Sequence, residues 1–540
     1  MKKKIVQNDE NLVGRYRAAR SRFACPQERS ELLMTVWTIA GIVLVLLLII
    51  GVGLLSGRKV KNAGDFVSGG GKAGSLLVCG TIMGALVSSQ ATIGTAQLAF
   101  HYGLAAWWFT LGSGIGCLIL GVGYTSALRR SGCITELQIL SRAYGAAAGS
   151  LGSVLCSLGI FISVLAQIVA CSGLVTTLFP QLSVPVAAAI SVIVMCFYVL
   201  FGGAWGAGMG GVVKLILLYV SSVVGMVHVL VVSDGAAGLF SALRTVLCGT
   251  DLGLIQKTAN GLSDLASAAD LSARFQSLVA RGAMKDIGSG VSLLLGVLST
   301  QTYAQAIWSA ETDRKAKRGA LLSAALIPPL GIAGICIGLF MRSHYLLQAE
   351  VDALTAAGAA VPQLPVLAST IQVFPMFVLH HLPALVGGIV LGTLLITSVG
   401  GGAGLSLGMA TILVKDIYQR VSKKACTEQK ELSATRVTLL GVLLAAAIVA
   451  ALVPGSTIND LGFLSMGLRG SVVLVPMSFA LWVKGPVRRK CILASILLSP
   501  LAVLLGALLP LPFDALYLGI ACSLACCILG RLLGETRAEG

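Results

Sequence analysis

The chain has 540 residues, of which 56% are apolar and only 11% are charged, and its mean hydropathy is +0.91. Soluble proteins carry about 25% charged residues, so this composition excludes a water-soluble enzyme. A net charge of +17 would suggest a nucleic-acid partner in a soluble protein, but here the basic residues lie in short loops between apolar runs, where they set membrane orientation. We therefore predict an all-α polytopic protein whose partner is the lipid bilayer and not nucleic acid.

Apolar runs long enough to cross a bilayer, which takes about 20 residues, recur along almost the whole chain. A basic tail at 1–33 precedes the first run, which has no small-residue cleavage site and is therefore predicted to be a retained leading helix at 34–56. Ten core segments and two peripheral helices within 490–534 follow. The thirteen predicted segments are 34–56, 75–99, 105–127, 149–179, 184–201, 209–232, 287–304, 320–341, 383–413, 437–453, 461–483, 490–509 and 514–534.

Loop charge predicts which side of the membrane each loop faces. Clusters of lysine and arginine occur at 57–74, 128–148, 305–319, 414–436 and 484–489, whereas 100–104, 180–183, 454–460 and 510–513 have neither residue. Positive charge concentrates in cytoplasmic loops, which predicts a multi-pass protein of the cytoplasmic membrane with a cytoplasmic C-terminus. Thirteen spans then place the N-terminus outside, although its basic tail favours the cytoplasm. Either the leading helix is miscounted or the alternation of the short loops outweighs one tail.

Two core segments contain polar stretches at the middle of the membrane. Core segment 1 has Ser88-Ser89-Gln90, and core segment 6 has a similar stretch ending at Tyr303. Unpaired peptide groups cost several kcal/mol in hydrocarbon, so interrupted helices line a cavity or are buried in protein. The two breaks occupy corresponding places in two five-helix halves, 75–232 and 287–483, on either side of an outside loop at 233–286. This pattern is typical of inverted-repeat transporters; the alternative is that small residues only let helices pack closely.

Several stretches then resemble the sodium:solute symporter family. They are Ser88 to Gly94 followed by Tyr102-Gly103, Tyr198 to Gly203, Ser309 to Gly319, and Lys415-Asp416-Ile417-Tyr418. The resemblance implies a LeuT-like fold with a 5+5 inverted repeat, alternating access, a small organic solute, and one sodium ion between core segments 1 and 8. It also shows departures, because the family's Thr-x-x-Glu motif is only partly kept as Thr135-Glu-Leu-Gln138.

The resemblance implies sodium ligands that this sequence retains only in part. On core segment 1 the carbonyl donors fall on Gly84 and Val87, where any side chain serves. On core segment 8 the expected hydroxyl residues fall on Gly400 and Gly401, in the run Thr397 to Gly402, so two hydroxyl ligands are missing. The family's cation-handling aspartate falls on Gly211. These departures predict a divergent member and weaken the case for sodium as the coupling ion.

Two basic residues, Lys214 and Arg469, lie inside predicted spans with no acidic residue nearby in the same segment. A charge in hydrocarbon costs at least ~2.5–3.5 kcal/mol, so each needs a partner, a route to water or a function. Our hypothesis is that the Lys214 ammonium occupies the cation region, donates to the carbonyls of Gly84 and Val87, and either couples transport to protons or makes the protein a uniporter. The alternative is that Lys214 snorkels to water.

Candidate solute contacts follow from the broken segments. Gln90 offers both donor and acceptor groups, and Arg469 can hold a carboxylate through two parallel hydrogen bonds, since no buried acid is expected near it. For Arg469 the alternative is packing against Asp460 or lipid headgroups. The other candidates, each equally well explained by helix packing, are Ser88, Ser89, Thr92, Gln301 and Tyr303.

The predicted function is secondary active transport of a small polar solute such as an amino acid, a carboxylate or a sugar. A sodium ion or a proton is the expected coupling ion, and no other cofactor or metal is expected. The alternative is a non-transporting sensor on the same scaffold, although the tail after Leu533 is too short for a signalling module. An enzyme is not predicted, because the sequence contains no midplane carboxylate pair, metal-ligand cluster or nucleophile with an adjacent base.

Overall fold

A computed structural model describes residues 35–57, 71–248, 272–419, 427–452, 458–483, 485–509, 511 and 513–534. The predicted basic tail at 1–33 and much of the loop at 233–286 lie outside this part. The helices of the first half are α1 (Val36–Gly57), α2 (Ser75–Leu86), α3 (Ile93–Tyr102), α4 (Trp108–Ile119), α5 (Thr125–Arg130), α6 (Glu136–Tyr144), α7 (Ala146–Leu178), α8 (Val184–Val232) and α9 (Gly235–Cys248).

The second half continues in the same all-helical manner. Its helices are α10 (Ala283–Leu298), α11 (Gln301–Ser309), α12 (Asp313–His344), α13 (Gln348–Ala356), α14 (Val373–His381), α15 (Ala384–Ile412), α16 (Glu428–Leu452), α17 (Ile458–Trp482), α18 (Arg489–Ala507) and α19 (Leu516–Leu532). A parallel pair of two-residue strands, β1 (Leu346–Leu347) and β2 (Val366–Leu367), lies between α12 and α14.

Every predicted segment is helical over most of its length. Eight helices of the described residues are long and apolar enough to cross a membrane, and shorter apolar helices accompany them. The predicted outside loop at 233–286 contains α9, which the sequence analysis did not predict. The stretch between the predicted segments 320–341 and 383–413 likewise contains α13, α14 and the strand pair. These helices are short, so their apolar residues do not form runs of spanning length.

The loops that carry the basic clusters meet on one side of the bundle, which we call the basic face. Arg129, after α5, forms an ion pair with Asp313 at the start of α12. Thr135 donates to the carboxylate of Asp416, which follows α15. The α18–α19 hairpin also returns to this side, where Arg531 donates to the Pro486 carbonyl. Polar contacts between loops that are distant in sequence therefore hold the basic face together.

The leading helix α1 runs parallel to α15. Thr38 lies against Gly388 near the start of both helices, and Ile42 and Val45 lie against Gly392 further along both. Because α15 leads into Asp416 on the basic face, the N-terminal end of α1 lies on the opposite face. The leading helix therefore crosses the bundle in the same direction as α15.

Core segments 4 and 5 lie on one uninterrupted helix, α8, of 49 residues. We expected two helices joined by a turn after 201. The Tyr198 hydroxyl nevertheless lies beside Gly210, and twelve residues of straight helix rise about 18 Å, further than a tyrosine side chain reaches. A straight helix therefore does not connect Tyr198 with Gly210.

Candidate functional site

Core segment 1 is interrupted where the sequence predicts it. Helices α2 and α3 are separated by a stretch that contains a single 3-10 turn, Ser89–Ala91, and the backbone of Thr92 (φ −117°, ψ −84°) is not helical. We call this stretch, 87–92, the first break. It is enclosed by protein, as irregular backbone in a membrane must be. The predicted solute contacts within it are all buried, namely Ser88, Ser89, Gln90 and Thr92.

A glutamine on α7, Gln167, holds the first break in place. Its side-chain carbonyl accepts from the Ser89 backbone N–H at 3.2 Å and from the Ser89 hydroxyl at 2.6 Å. Its amide nitrogen donates to the Ser88 hydroxyl at 3.1 Å. The Thr92 hydroxyl points back to the break and donates to the carbonyls of Ser88 and Ser89. The hydroxyls predicted to contact a solute are thus engaged in supporting the interrupted backbone.

Lys214 reaches the carbonyl that the sequence analysis singled out. The residue is 2% exposed, and its ammonium donates to the Gly84 carbonyl oxygen at 2.5 Å. In the part of the chain that the structure describes, the ammonium makes no hydrogen bond to the second predicted acceptor, Val87. The side chain therefore points into the bundle and not toward water.

The helix opposite this ammonium contributes glycines. A Cβ placed on Gly400 would lie 3.6 Å from the Lys214 nitrogen, whereas one on Gly401 would lie 2.6 Å from the Ser88 Cβ. The Thr397 hydroxyl donates to the Thr393 carbonyl of its own helix at 2.6 Å. These positions of α15 thus bring backbone, and no free hydroxyl, next to the Lys214 ammonium.

Gly211, where the family's aspartate would stand, lies against α2. A Cβ there would lie only 2.0 Å from the Gly80 carbonyl oxygen. A side chain cannot be placed at this position without moving α8 away from α2. Glycine in place of the aspartate therefore allows α8 and α2 to pack closely at this position.

Core segment 6 is also interrupted, between α10 and α11. The backbone of Thr300 is extended, with φ −110° and ψ 115°, and we call 299–300 the second break. The Gln301 side chain is committed to the loop before α6, because it accepts from the Glu136 backbone N–H and donates to the Ile134 carbonyl. Tyr303 is 1% exposed. The structure thus places Gln301 at the junction with the basic face and Tyr303 inside the bundle.

One face of α17 lies against the first break. Asn459 packs against Gly94, and Gly462, three residues further along the same face, packs against the Gln90 side chain. Among the described residues, the Gln90 amide nitrogen and both amide atoms of Asn459 are buried without a hydrogen-bond partner. A buried polar group left unpaired costs about 1–3 kcal/mol. These two amides are therefore well placed to hydrogen-bond a bound solute.

The same face of α17 continues to the second break. Met466 packs against Gly296 near the end of α10, and Arg469 packs against Gly159 of α7. Asn459, Gly462, Met466 and Arg469 follow one another at intervals of three or four residues, which places them in one stripe. This stripe connects both breaks along a single rigid helix.

Arg469 is fully buried and so does not reach lipid headgroups. Its Nε donates to the Ser465 carbonyl at 3.1 Å and one terminal nitrogen donates to the Ser163 hydroxyl at 3.2 Å. The other terminal nitrogen, Nη1, has no hydrogen-bond partner in the described part of the chain. The guanidinium also interacts electrostatically with Tyr303 and Glu136.

Glu136 corrects our expectation that no buried acid lies near Arg469. The residue is 1% exposed and belongs to α6, on the basic face. Burial raises the pKa of Glu136 to about 8, while the charge of Arg469 acts to lower it. Its Oε2 atom has no hydrogen-bond partner among the described residues. The carboxyl group and the guanidinium are close enough to interact electrostatically without forming a direct ion pair.

Comparison with known proteins gives the family. The profile of the sodium:solute symporter family matches residues 66–497. The chain belongs to the sodium:solute symporter family. It is similar to high-affinity choline transporter 1 of Drosophila melanogaster, with 21% identity over 427 residues, which cover 77% of this chain and 62% of that protein. This symporter-family chain thus spans somewhat under two thirds of the length of that curated relative.

Two solved structures share the fold of this symporter-family chain. One is a Na⁺-coupled sialic acid symporter in a substrate-bound outward-open state, with a TM-score of 0.68 and 16% identity over 92% of this chain and 97% of that one. The other is Mhp1, a nucleobase-cation-symport-1 family transporter in a closed conformation with bromovinylhydantoin bound, with a TM-score of 0.51 and 11% identity over 89% of this chain and 98% of that one. The predicted LeuT-like inverted-repeat fold is confirmed.

Sequence reasoning missed three residues of the site, Gln167, Asn459 and Glu136. Gln167 is a single amide within a long apolar segment, which alone is typical of helix packing. Asn459 falls in the stretch assigned to the loop at 454–460, although α17 begins at Ile458. Glu136 lies within the partly kept motif Thr135-Glu-Leu-Gln138, and an acidic residue inside that motif was the signal that could have drawn attention to it.

Proposed function

We propose that this protein is a secondary active transporter that carries a small polar organic solute across the cytoplasmic membrane by alternating access. The observation that carries the proposal is a pair of buried amides with atoms that lack a hydrogen-bond partner among the described residues, Gln90 in the first break and Asn459 against Gly94 just after it. Membership of a cation-coupled transporter family supports it. The basic face is the cytoplasmic one, because positive loops are retained in the cytoplasm.

The solute makes hydrogen bonds to these amides, each of which offers a donor and an acceptor. A solute with adjacent hydroxyl, carbonyl or amine groups satisfies both. Arg469, on the same stripe of α17, adds a binding group for a carboxylate or another anionic substituent. Choline and sialic acid are named for two similar proteins and differ in charge. A set of test solutes should therefore include a cation such as choline and an anion such as sialic acid.

The coupling cation in this proposal is a proton carried by Lys214. Its ammonium binds the Gly84 carbonyl, which the family resemblance assigns to sodium, and the facing positions are Gly400 and Gly401. A sodium ion at the same carbonyl would lie within a few ångströms of the ammonium, and like charges at that distance repel strongly in a medium of low dielectric constant. Transport is therefore independent of sodium.

The first experiment identifies a solute and then measures its movement. Purified protein is heated with choline, sialic acid, hydantoin, proline, lactate or glucose, each with and without sodium, because a ligand that binds the folded state raises the apparent Tm. A solute that raises Tm is then tested for counterflow in proteoliposomes. We expect counterflow that does not change when sodium is replaced by a large organic cation. Binding without counterflow would support the sensor and contradict the transporter.

The second experiment tests the proton carrier with Lys214→Met, which keeps a long side chain without the charge. We expect uptake driven by an imposed pH gradient to disappear, while counterflow continues. The matched control is Lys415→Met, which removes a lysine that is paired with Glu431 on the basic face, away from both breaks. Gradient-driven uptake that survives Lys214→Met with an unchanged pH profile would overturn the proton-coupling part alone.

A further inference from the structure

A cleft of about 600 Å³ opens on the basic face, between the end of the α4–α5 unit and the end of α17. The turn of π-helix at Leu120–Tyr124 and the loop before α6 form one wall, and the last turn of α17 forms the other. The cleft is separate from the two breaks and from the stripe of α17 that connects them. Its polar end is basic, because Arg130 and Arg142 both line it.

The two arginines of the cleft have different surroundings. Arg142 donates to the carbonyls of Ser131 and Gly132 and so fixes the loop that forms the wall. Arg130 is exposed and makes no hydrogen bond or ion pair to the rest of the described chain. Its neighbour Arg129 is already paired with Asp313. Arg130 therefore presents an uncommitted guanidinium to whatever occupies the cleft.

An apolar track on the outer surface leads into the cleft. Ile115, Leu118 and Val122 are 39%, 47% and 62% exposed, and their spacing of three and four residues places them on one face of the helix. The track continues into Gly123 and Ser126, which line the cleft and are also exposed. A face of this composition borders the acyl chains of the bilayer.

An aromatic residue on the opposite wall indicates where the cleft lies relative to the membrane–water interface. Trp482, the last residue of α17, lines the cleft and is 48% exposed. Its ring packs edge-on against Tyr124 with centroids 4.5 Å apart, and the Tyr124 hydroxyl is hydrogen-bonded to Ser478. Tryptophan is enriched at the membrane–water interface, where lipid headgroups lie. The cleft thus combines an acyl-facing track, an interfacial ring and a guanidinium that has no hydrogen-bond or ion-pair partner in the described part of the chain.

We propose that this cleft binds an anionic glycerophospholipid, with the phosphate against Arg130 and an acyl chain along Ile115, Leu118 and Val122. Arginine matches the geometry of a phosphate through paired N–H donors, and basic pockets between membrane helices bind anionic headgroups. Free phosphate shares the headgroup chemistry but makes no use of the apolar track. The lipid is therefore the occupant that fits both ends of the cleft.

The test is native mass spectrometry of the full-length protein in a nonionic detergent, titrated with phosphatidylglycerol, phosphatidylcholine or inorganic phosphate. We expect at least one tightly retained phosphatidylglycerol per chain. Arg130→Gln should weaken its affinity about fivefold, the equivalent of about 1 kcal/mol per basic residue at a membrane surface. Arg314→Gln is the matched control, because Arg314 is an exposed arginine on the basic face outside the cleft, and it should leave the affinity unchanged.

A second variant fills the cleft without removing charge. A Cβ at Gly123 would make only an ordinary contact of 4.0 Å with Ile119, so Gly123→Leu should fold and should also weaken phosphatidylglycerol binding. The proposal is overturned if Arg130→Gln retains phosphatidylglycerol as Arg314→Gln does. It is equally overturned if phosphatidylcholine is retained as strongly, or if inorganic phosphate alone accounts for the retained mass.

Discussion

Two fully buried arginines of this protein are held in opposite ways. Arg342, near the end of α12, directs Nη1 to both carboxylate oxygens of Glu350, at 2.9 and 3.0 Å, and its guanidinium carbon lies 4.7 Å from the centre of the Phe100 ring. Arg469, between the two breaks, donates to a carbonyl, a hydroxyl and the Met466 sulfur. Arg342 is thus paired with a carboxylate, whereas the hydrogen-bond acceptors of Arg469 are neutral.

This difference indicates what each charge does. The Glu350 carboxylate neutralises the Arg342 charge, although the Arg342 Nε and Nη2 atoms have no hydrogen-bond partner among the described residues. The pair therefore holds α13 against α12 and attracts a further anion only weakly. A buried cation with neutral partners keeps its attraction for negative charge, and its desolvation is repaid only when an anion arrives. Lys214 is of the second kind, because its ammonium binds a carbonyl. Arg469 is therefore suited to binding an anion and Lys214 to carrying the coupling proton, whereas the pair of Arg342 and Glu350 contributes to stability.

The largest expected effect tests the structural half of this comparison. Glu350→Gln leaves the Arg342 charge buried without its carboxylate, and removing one partner of a buried pair costs about 3–5 kcal/mol. We expect a marked fall in Tm, measured by thermal unfolding in detergent, with no change in solute affinity for the fraction that folds. The double variant Arg342→Met/Glu350→Leu should recover most of the loss, and a double variant as unstable as the single one would contradict the argument.

Arg469→Gln tests the binding half. The glutamine still offers a donor to Ser163, and no buried pair is broken, so the Tm should change little. Affinity for carboxylated solutes should fall about tenfold or more, because a hydrogen bond to a charged group contributes about 1.5–3 kcal/mol. Equilibrium binding of carboxylated and uncarboxylated solutes measures this. An equal loss for both, or a general loss of folding, would assign Arg469 to helix packing.

These comparisons also indicate which parts of the site can be predicted from the sequence. Long apolar runs and the polar triplet at Ser88 to Gln90 are local signals, so the helices and the first break were predictable. The neighbours of Arg469 were not, because local sequence shows only the acids of the same helix, whereas folding brings Glu136 from α6. Gln167 and Asn459 are single amides whose role depends on what packs against them, and that information is not contained in local spacing.

Substitutions at Gly400 and Gly401 test how much space lies next to the Lys214 ammonium. Gly401→Ser would place its Cβ 2.6 Å from the Ser88 Cβ, so it should destabilise by about 1–3 kcal/mol through overpacking. At Gly400 the nearest atoms to an added Cβ are at 3.6 Å, so Gly400→Ser should fold normally. The two Tm values measured side by side check this. If both variants lost the same stability, the space next to the Lys214 ammonium would be smaller than described.

The last expected effect depends on pH and concerns Glu136, the buried acid that interacts electrostatically with Arg469. Burial raises the pKa of this carboxyl from its ordinary 4.5 to about 8. Between these two values the folded protein keeps a proton that the unfolded chain has lost, so stability falls as pH rises through this window and is constant above it. Glu136→Gln cannot ionise, so its Tm should fall by several degrees less than that of the parent protein between about pH 5 and about pH 8.

The control for this pH series is Glu311→Gln, since Glu311 is an exposed carboxylate on the same face, paired with Lys315. It should leave the pH dependence of Tm as it is in the parent protein. In Arg469→Gln the positive charge that lowers the Glu136 pKa is absent, so the loss of stability should extend to higher pH. If Glu136→Gln and the parent protein showed the same slope, Glu136 would be ionised in the folded protein, and Arg469 would have a carboxylate partner after all.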